Sequence, residues 1–360
     1  MSSILKKIIA ITIVMATTPV VAAQYTLTEL SPAIAGTSSS AFGINNSGQV
    51  VGSTNYISGT GATEWSNGNT TNLGIISNGD YSVAYSINDT GQVVGYSGNG
   101  GVPTLWANGS ATNLGYFPNG GNDAVAYGIN NSGQVVGYDT NGNPSNNITA
   151  TEWSNGGAVN LTGIYGNNNI NNSYSTAYAI NNSGQIVGYT NNGNGNTATE
   201  WYNGIAVSLS ANSIANAINN SGQVVGINGN FAVEWSSGVA MNLGAIAGDS
   251  FSMANGINDA MQIVGYSSFG STGQVATLWS GGQIINLNNL IDPSLGFGLI
   301  NATAINNSGQ IVGNGISNTG LREGFLLTPV PTTPIPSAIW LVGSALAGLI
   351  GFGRRKLSGP

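Results

Sequence analysis

The chain has 360 residues, but only 13 Asp and Glu and 6 Lys and Arg, with no His and no Cys. That composition excludes disulfides, thiolate chemistry, imidazole metal sites and every triad built on His or Cys. All thirteen acids and Arg322 lie between two small basic ends, so the body of the chain is acidic and lacks the Lys and Arg clusters that nucleic acid requires.

Residues 1–23 read as a secretory signal. Lys6 and Lys7 supply the positive region, Ile8 to Met15 the apolar run, and Val21-Ala22-Ala23 the small residues of a cleavage site. Cleavage between Ala23 and Gln24 is expected, after passage through the Sec export machinery; an uncleaved anchor is the alternative. A lone strand, Tyr25 to Leu30, follows.

The body, residues 24–328, is a sevenfold repeat. Ile-Asn recurs at Ile44, Ile87, Ile129, Ile180, Ile218, Ile257 and Ile305, each followed by a polar turn and Gln-Val/Ile-Val-Gly. A repeat of about 40–50 residues marks a solenoid or propeller. Each unit reads as two hairpins. An Ala-x-small-Ile-Asn strand leads through Asn-Asn-Ser-Gly into a β-branched strand buried on both faces. A third strand ends at Trp65, Trp106, Trp153, Trp201, Trp235 or Trp279, and a fourth ends in Asn-Leu, or in Ser208-Leu209 in the fourth unit. The sixth unit breaks the turn with Ala260-Met261.

The ends set the blade count. The seventh unit has no fourth strand, and Tyr25 to Leu30 has no first three. Pairing it beside Phe325 to Leu327 closes a seven-bladed β-propeller and removes the open edge. The small third residue of each first strand, such as Gly43 or Gly128, suits a crowded innermost strand. A parallel β-helix is the competing fold. The repeat resembles the HAF family of bacterial extracellular repeats over residues 25–328; Ser40-Ala41-Phe42 stands where that family has His-Ala-Phe. The resemblance implies no particular activity.

A Pro/Thr linker, residues 329–336, leads to an apolar stretch from Ser337 to Gly353, then Arg354, Arg355 and Lys356. At ~1.5 Å per residue this helix is about 25 Å long, at the short end of a membrane span. The basic residues stay cytoplasmic. Pro334-Ile335-Pro336, the apolar helix and the basic end together resemble a PEP-CTERM sorting signal, with Ile335 where many members have Glu. The resemblance covers about the last 25 residues. It implies a transient inner-membrane anchor and cleavage near Pro334 to Pro336 by an exosortase, a membrane transpeptidase of exopolysaccharide-making Gram-negative bacteria. Tails of the kind it resembles are also called ice-binding-protein C-terminal domains.

Candidate chemistry in the body is sparse. Glu64, Glu152, Glu200 and Glu234 each precede a Trp, but Leu105 and Leu278 fill the same slot. Recurrence once per blade points to a structural carboxylate rather than one of a glycosidase pair. The Trp residues read as inter-blade core rather than sugar platforms. Asp89 and Asp259 sit singly in turns, short of the several carboxylates calcium wants. The Asn/Gly-rich loops 141–147, 166–172 and 191–196 are either solvent loops or a polar face for neutral polysaccharide. The expectation is an exported, exosortase-sorted surface or matrix protein, a non-enzymatic scaffold without cofactor or metal that binds neutral exopolysaccharide. A carboxylate-dependent glycosidase or lyase is the rival; ice binding is the third reading.

Overall fold

The computed structural model describes residues 24–331, apart from 57–58, 77–78, 99, 118–122, 141–147, 155–156, 162–173 and 270–272. The signal segment through Ala23, the Pro334-Ile335-Pro336 motif, the Ser337 to Gly353 span and the Arg354-Arg355-Lys356 end lie outside the described residues, as do loops 141–147 and 166–172. Among the described residues no helix is long and apolar enough to cross a membrane.

Seven separate four-stranded antiparallel sheets make a seven-bladed β-propeller. This excludes the parallel β-helix, whose strands would stack between units rather than meander within them. Blade 1 has an inner strand Ser39–Ile44, a second Val50–Tyr56, a third Gly59–Ser66 and an outer Asn69–Asn72. The next five blades repeat that order. Blade 7 takes its inner three strands from the C-terminal end, Gly298–Ile305, Ile311–Ile316 and Arg322–Pro329, and its outer strand from Tyr25–Leu30. Tyr25 pairs with Pro329 and Leu30 with Gly324. The closure expected from the unpaired ends is the one observed, with a longer third strand than Phe325 to Leu327.

The Val-Val pair of each second strand explains where the core sits. Successive side chains point to opposite faces, so each blade presents one Val or Ile to each neighbour. Val51 and Ala62 of blade 1 pack with Ala84, Ile87, Val93 and Trp106 of blade 2. Leu30 and Val312 of blade 7 pack with Ala41, Val50 and Trp65 of blade 1. The core is thus a set of seams between blades, each sealed by the later blade's Trp or, in blade 7, by Leu327, which pairs with Ile311 as Trp65 pairs with Val50. Indole Nε1 groups reach back to the previous connection: Trp65 donates to Ser31 O at 3.0 Å, Trp106 to Gly74 O at 3.2 Å and Trp153 to Gly115 O at 3.0 Å. That satisfies the one polar atom of a ring otherwise buried in apolar contact.

Every inner strand carries a β-bulge one residue after its Ala. Pairing skips Phe42 between Ala41 and Gly43, and likewise Tyr85, Tyr127, Tyr178, Asn216, Asn255 and Thr303. The bulge pushes a carbonyl toward the second strand, and this dictates the glycine of Gln-Val-Val-Gly. A Cβ at Gly52 would lie 1.9 Å from Ser40 O, and at Gly95 1.9 Å from Val83 O. The hairpin turn after each Ile-Asn closes through Gly48 N to Asn45 O and Asn45 N to Gln49 O, both 3.1 Å, with Gly48 at φ +80°. Met261 keeps the left-handed conformation at φ +60° in the sixth turn, so that turn survives the loss of its glycine.

Candidate functional site: an aromatic well on the propeller axis

Two rings of hydrogen bonds surround the axis at the turn face. In the first, each Ile-Asn asparagine donates Nδ2 to the backbone carbonyl of its counterpart in the next blade: Asn45 to Asn88 at 3.1 Å, Asn88 to Asn130 at 3.0 Å, and onward until Asn306 returns to Asn45 at 3.0 Å. In the second, the next residue's backbone N–H donates to the side-chain oxygen of the blade ahead, from Asn46 to Asp89 at 2.9 Å and around to Asn307 on Asn46 at 2.9 Å. Asp89 accepts from Asn46 N, Asn46 Nδ2 and Asn131 Nδ2; Asp259 is held the same way by Asn220 and Asn307. Burial opposes ionisation of both, but these donors win and hold both carboxyls below the usual range. Their oxygens are hydrogen-bond acceptors of the ring. No cluster of three acidic side chains stands among the described residues.

The four glutamates are spokes of the same ring. Gln49 accepts from Asn45 Nδ2 at 2.7 Å and donates Nε2 to Glu64 at 2.8 Å. Gln134, Gln185 and Gln223 do the same to Glu152, Glu200 and Glu234. Glu200 reaches a cleft between blades 4 and 5 beside Trp235, with no second carboxylate among the residues lining it. The sequence expected backbone or Asn donors for these carboxylates; the structure supplies Gln.

Deeper along the axis the repeat breaks its symmetry. The bulged position aims one side chain per blade into the channel, as bulges re-aim side chains elsewhere. In blades 1 to 4 it is Phe42, Tyr85, Tyr127 and Tyr178; in blades 5 to 7 it is Asn216, Asn255 and Thr303. The aromatic arc is continuous, with centroids 5.4, 5.1 and 5.4 Å apart. A second tier from the second strands backs the arc: Tyr96 on Tyr85 at 6.0 Å, Tyr138 on Tyr127 at 6.0 Å and Tyr189 on Tyr178 at 5.8 Å. Tyr81 and Tyr174 extend it to the rim. The polar arc points sideways as well: Asn216 Nδ2 donates to Ala254 O at 2.9 Å, Asn255 Nδ2 to Ala302 O at 2.8 Å and Thr303 Oγ1 to Ala41 O at 3.0 Å.

The axial tier of the well is uncharged. No charged side chain lines the cavity at this tier. Burial, reinforced by neighbouring phenols, pushes the Tyr85, Tyr96, Tyr127 and Tyr178 hydroxyls above the ordinary tyrosine range, and burial with the nearby Asp123 carboxylate raises Tyr138 to about 12. All five stay protonated through the physiological range and present O–H groups beside flat apolar faces.

Sequence reasoning placed ligand contacts on the loops and missed this well. The available signal was the single position inside the Ala-x-small-Ile-Asn strand that does not repeat: Phe, Tyr, Tyr, Tyr, Asn, Asn, Thr. The one described Asn-rich loop, 191–196, is a tied hairpin, with Asn191 Nδ2 on Asn196 Oδ1 at 2.7 Å and on the Tyr174 hydroxyl at 3.1 Å. Gln24 is in place at the start of the closing strand, its N–H on Leu290 O and its carbonyl receiving Val330 N–H.

No known family's profile matches the chain, and no curated protein matches it. Among solved structures, the chain is similar to a Mycobacterium tuberculosis puromycin-hydrolyzing peptidase, with a TM-score of 0.49 and 11% identity over 85% of this chain and 54% of that one. The chain spans about half the length of that peptidase chain.

Proposed function

We propose that this propeller is an exported, non-enzymatic scaffold of the cell surface or extracellular matrix that holds neutral polysaccharide in its axial aromatic well. The observation that carries the binding half is the arc of Phe42, Tyr85, Tyr127 and Tyr178 facing Asn216, Asn255 and Thr303 across an uncharged channel. Sugar rings have apolar C–H faces and hydroxyl edges; aromatic planes suit the first, amide and hydroxyl groups the second. Anionic glycans are disfavoured, because the one basic side chain of the body is Arg322 against thirteen acids. The tie of each candidate glutamate to its own glutamine supports a structural over a catalytic role for Glu64, Glu152, Glu200 and Glu234.

Export and sorting rest on the terminal segments: Sec passage with cleavage after Ala23, transient anchoring through Ser337 to Gly353, and exosortase processing near Pro334 to Pro336. An array of neutral and uronate-bearing glycans tests the ligand class. Retention on neutral polysaccharides and none on uronates is expected; retention on uronates alone, or on none, removes the binding role. Intact mass from cell envelope and medium tests the sorting. A species ending near Pro334 outside the cell is expected, and a species running to Pro360 confined to the inner membrane contradicts it.

A further inference from the structure

The well has a floor. The seven isoleucines of the Ile-Asn pairs line two cavities from opposite sides: one of about 240 Å³ with the aromatic and polar arcs, and one of about 170 Å³ with the asparagine rings. Five of the seven, including Ile87, Ile129 and Ile257, are buried although they stand on the axis, so the collar they form is tight. Beyond it the first asparagine ring is buried too, Asn45 and Asn130 at 3% exposure. A chain entering past Tyr81 and Tyr174 meets the aromatic arc and then stops at apolar side chains backed by a closed hydrogen-bonded ring. The upper cavity is smaller than the roughly 300–1,000 Å³ of sites for drug-sized ligands, and suits one or two sugar residues.

We infer that the well recognises the end of a neutral polysaccharide chain and not its interior. The inference rests on the glycan-binding reading above and adds to it the part of the polymer that is bound. A mid-chain segment needs an open groove with two exits; this site has one. The terminal residue stacks on Tyr85, Tyr127 and Tyr178, with its hydroxyl edge toward the Asn216 and Asn255 arc, and the following residues leave along the outer tyrosine tiers. A scaffold of this kind caps or tethers polymer ends, and its capacity is set by the number of ends.

The test uses the full chain in a sugar-free detergent and a linear neutral glucan or hexosamine polymer retained in the array, together with a partial hydrolysate of the same polymer. At equal mass, a tenfold shorter hydrolysate carries about ten times the ends and should compete about tenfold better for the protein. Where a cyclic counterpart exists, as for α-1,4- or β-1,2-linked glucose, it should not bind, whereas the linear oligomer of equal size does. Tyr127→Ala should weaken linear binding about tenfold or more, and Tyr127→Phe should keep it, separating lost stacking from lost fold. Competition that follows mass rather than ends, or equal binding of cyclic and linear forms, overturns end recognition and leaves the binding role standing. Binding by the wild type that Tyr127→Ala does not weaken overturns the site itself. No retention of any linear neutral glycan removes both.

Discussion

Asp139 is the side chain least at ease in the molecule. It is fully buried at the position where blades 2 and 6 carry Ser97 and Ser267, and its Oδ1 has no hydrogen-bond partner among the described residues. The serines hold Thr104 and Thr277 at 3.0 and 3.1 Å; Asp139 spends Oδ2 on Phe117 N at 2.7 Å. Burial, helped by the nearby Asp123 charge, raises its pKa to about 6 against the donors that favour ionisation. A raised carboxyl pKa means that the folded protein binds the extra proton between the unfolded value near 4 and about 6. This contribution is therefore fully present below about pH 4 and lost as pH rises through about 6. Thermal unfolding should show stability falling over that window. Asp139→Ser should flatten the dependence and stabilise the protein near pH 7.5 by on the order of 1–2 kcal/mol. An unchanged pH profile in Asp139→Ser would mean that the carboxyl is already satisfied in solution.

Strands are where the sequence was most informative. The Gln-Val-Val-Gly runs, the Asn-Asn-Ser-Gly turns and the orphan Tyr25 to Leu30 segment are local signals, and blade count and closure follow from them. The bulge was not legible, because a pairing skip leaves no mark in composition. Its consequence was visible only as the small third residue, read as crowding near the axis, and as the repeated glycine of Gln-Val-Val-Gly, to which the sequence attached no reason. Closure is also more elaborate than one strand pairing. Asn314 Oδ1 accepts from Ala41 N at 3.0 Å, Ser39 Oγ donates to Leu30 O at 2.6 Å, and Gly324 N donates to that same Oγ at 2.9 Å, so three strands of blade 7 are stitched to the inner strand of blade 1. Removing residues 24–30 takes Tyr25 and Leu30 from two seams and bares the edge of Arg322–Pro329. A chain beginning at Ser31 should lose more than about 3–5 kcal/mol in denaturant unfolding and should associate through that edge. A monomer of unchanged stability would show that the seventh blade needs no fourth strand.

At the scale of the whole molecule, contacts between repeats decide what the sequence concealed. Reading Ile-Asn-Asn as turn chemistry was right for Asn181, whose Oδ1 accepts from Ser183 N at 3.1 Å and Gln185 N at 3.0 Å. It missed that Asn181 Nδ2 also reaches Asn219 O of the next blade at 3.1 Å. A link between equivalent residues of successive units has no sequence spacing of its own; only the closed ring reveals it. Asn181→Ala should cost about 2–4 kcal/mol, because it strands several buried partners at once, whereas Glu64→Leu, copying Leu105 and Leu278, should cost under about 1 kcal/mol. Equal costs in paired denaturant titrations would remove the distinction between ring and spoke. The same symmetric frame makes the asymmetric well conspicuous: seven equivalent positions, of which four contiguous ones are aromatic. The most direct test of the account is affinity electrophoresis of the wild type and of Tyr85→Ala/Tyr127→Ala/Tyr178→Ala through gels containing a neutral polysaccharide, with circular dichroism to confirm the fold. The account predicts retardation of the wild type and free migration of the folded variant; equal retardation of both would place the ligand elsewhere and contradict it.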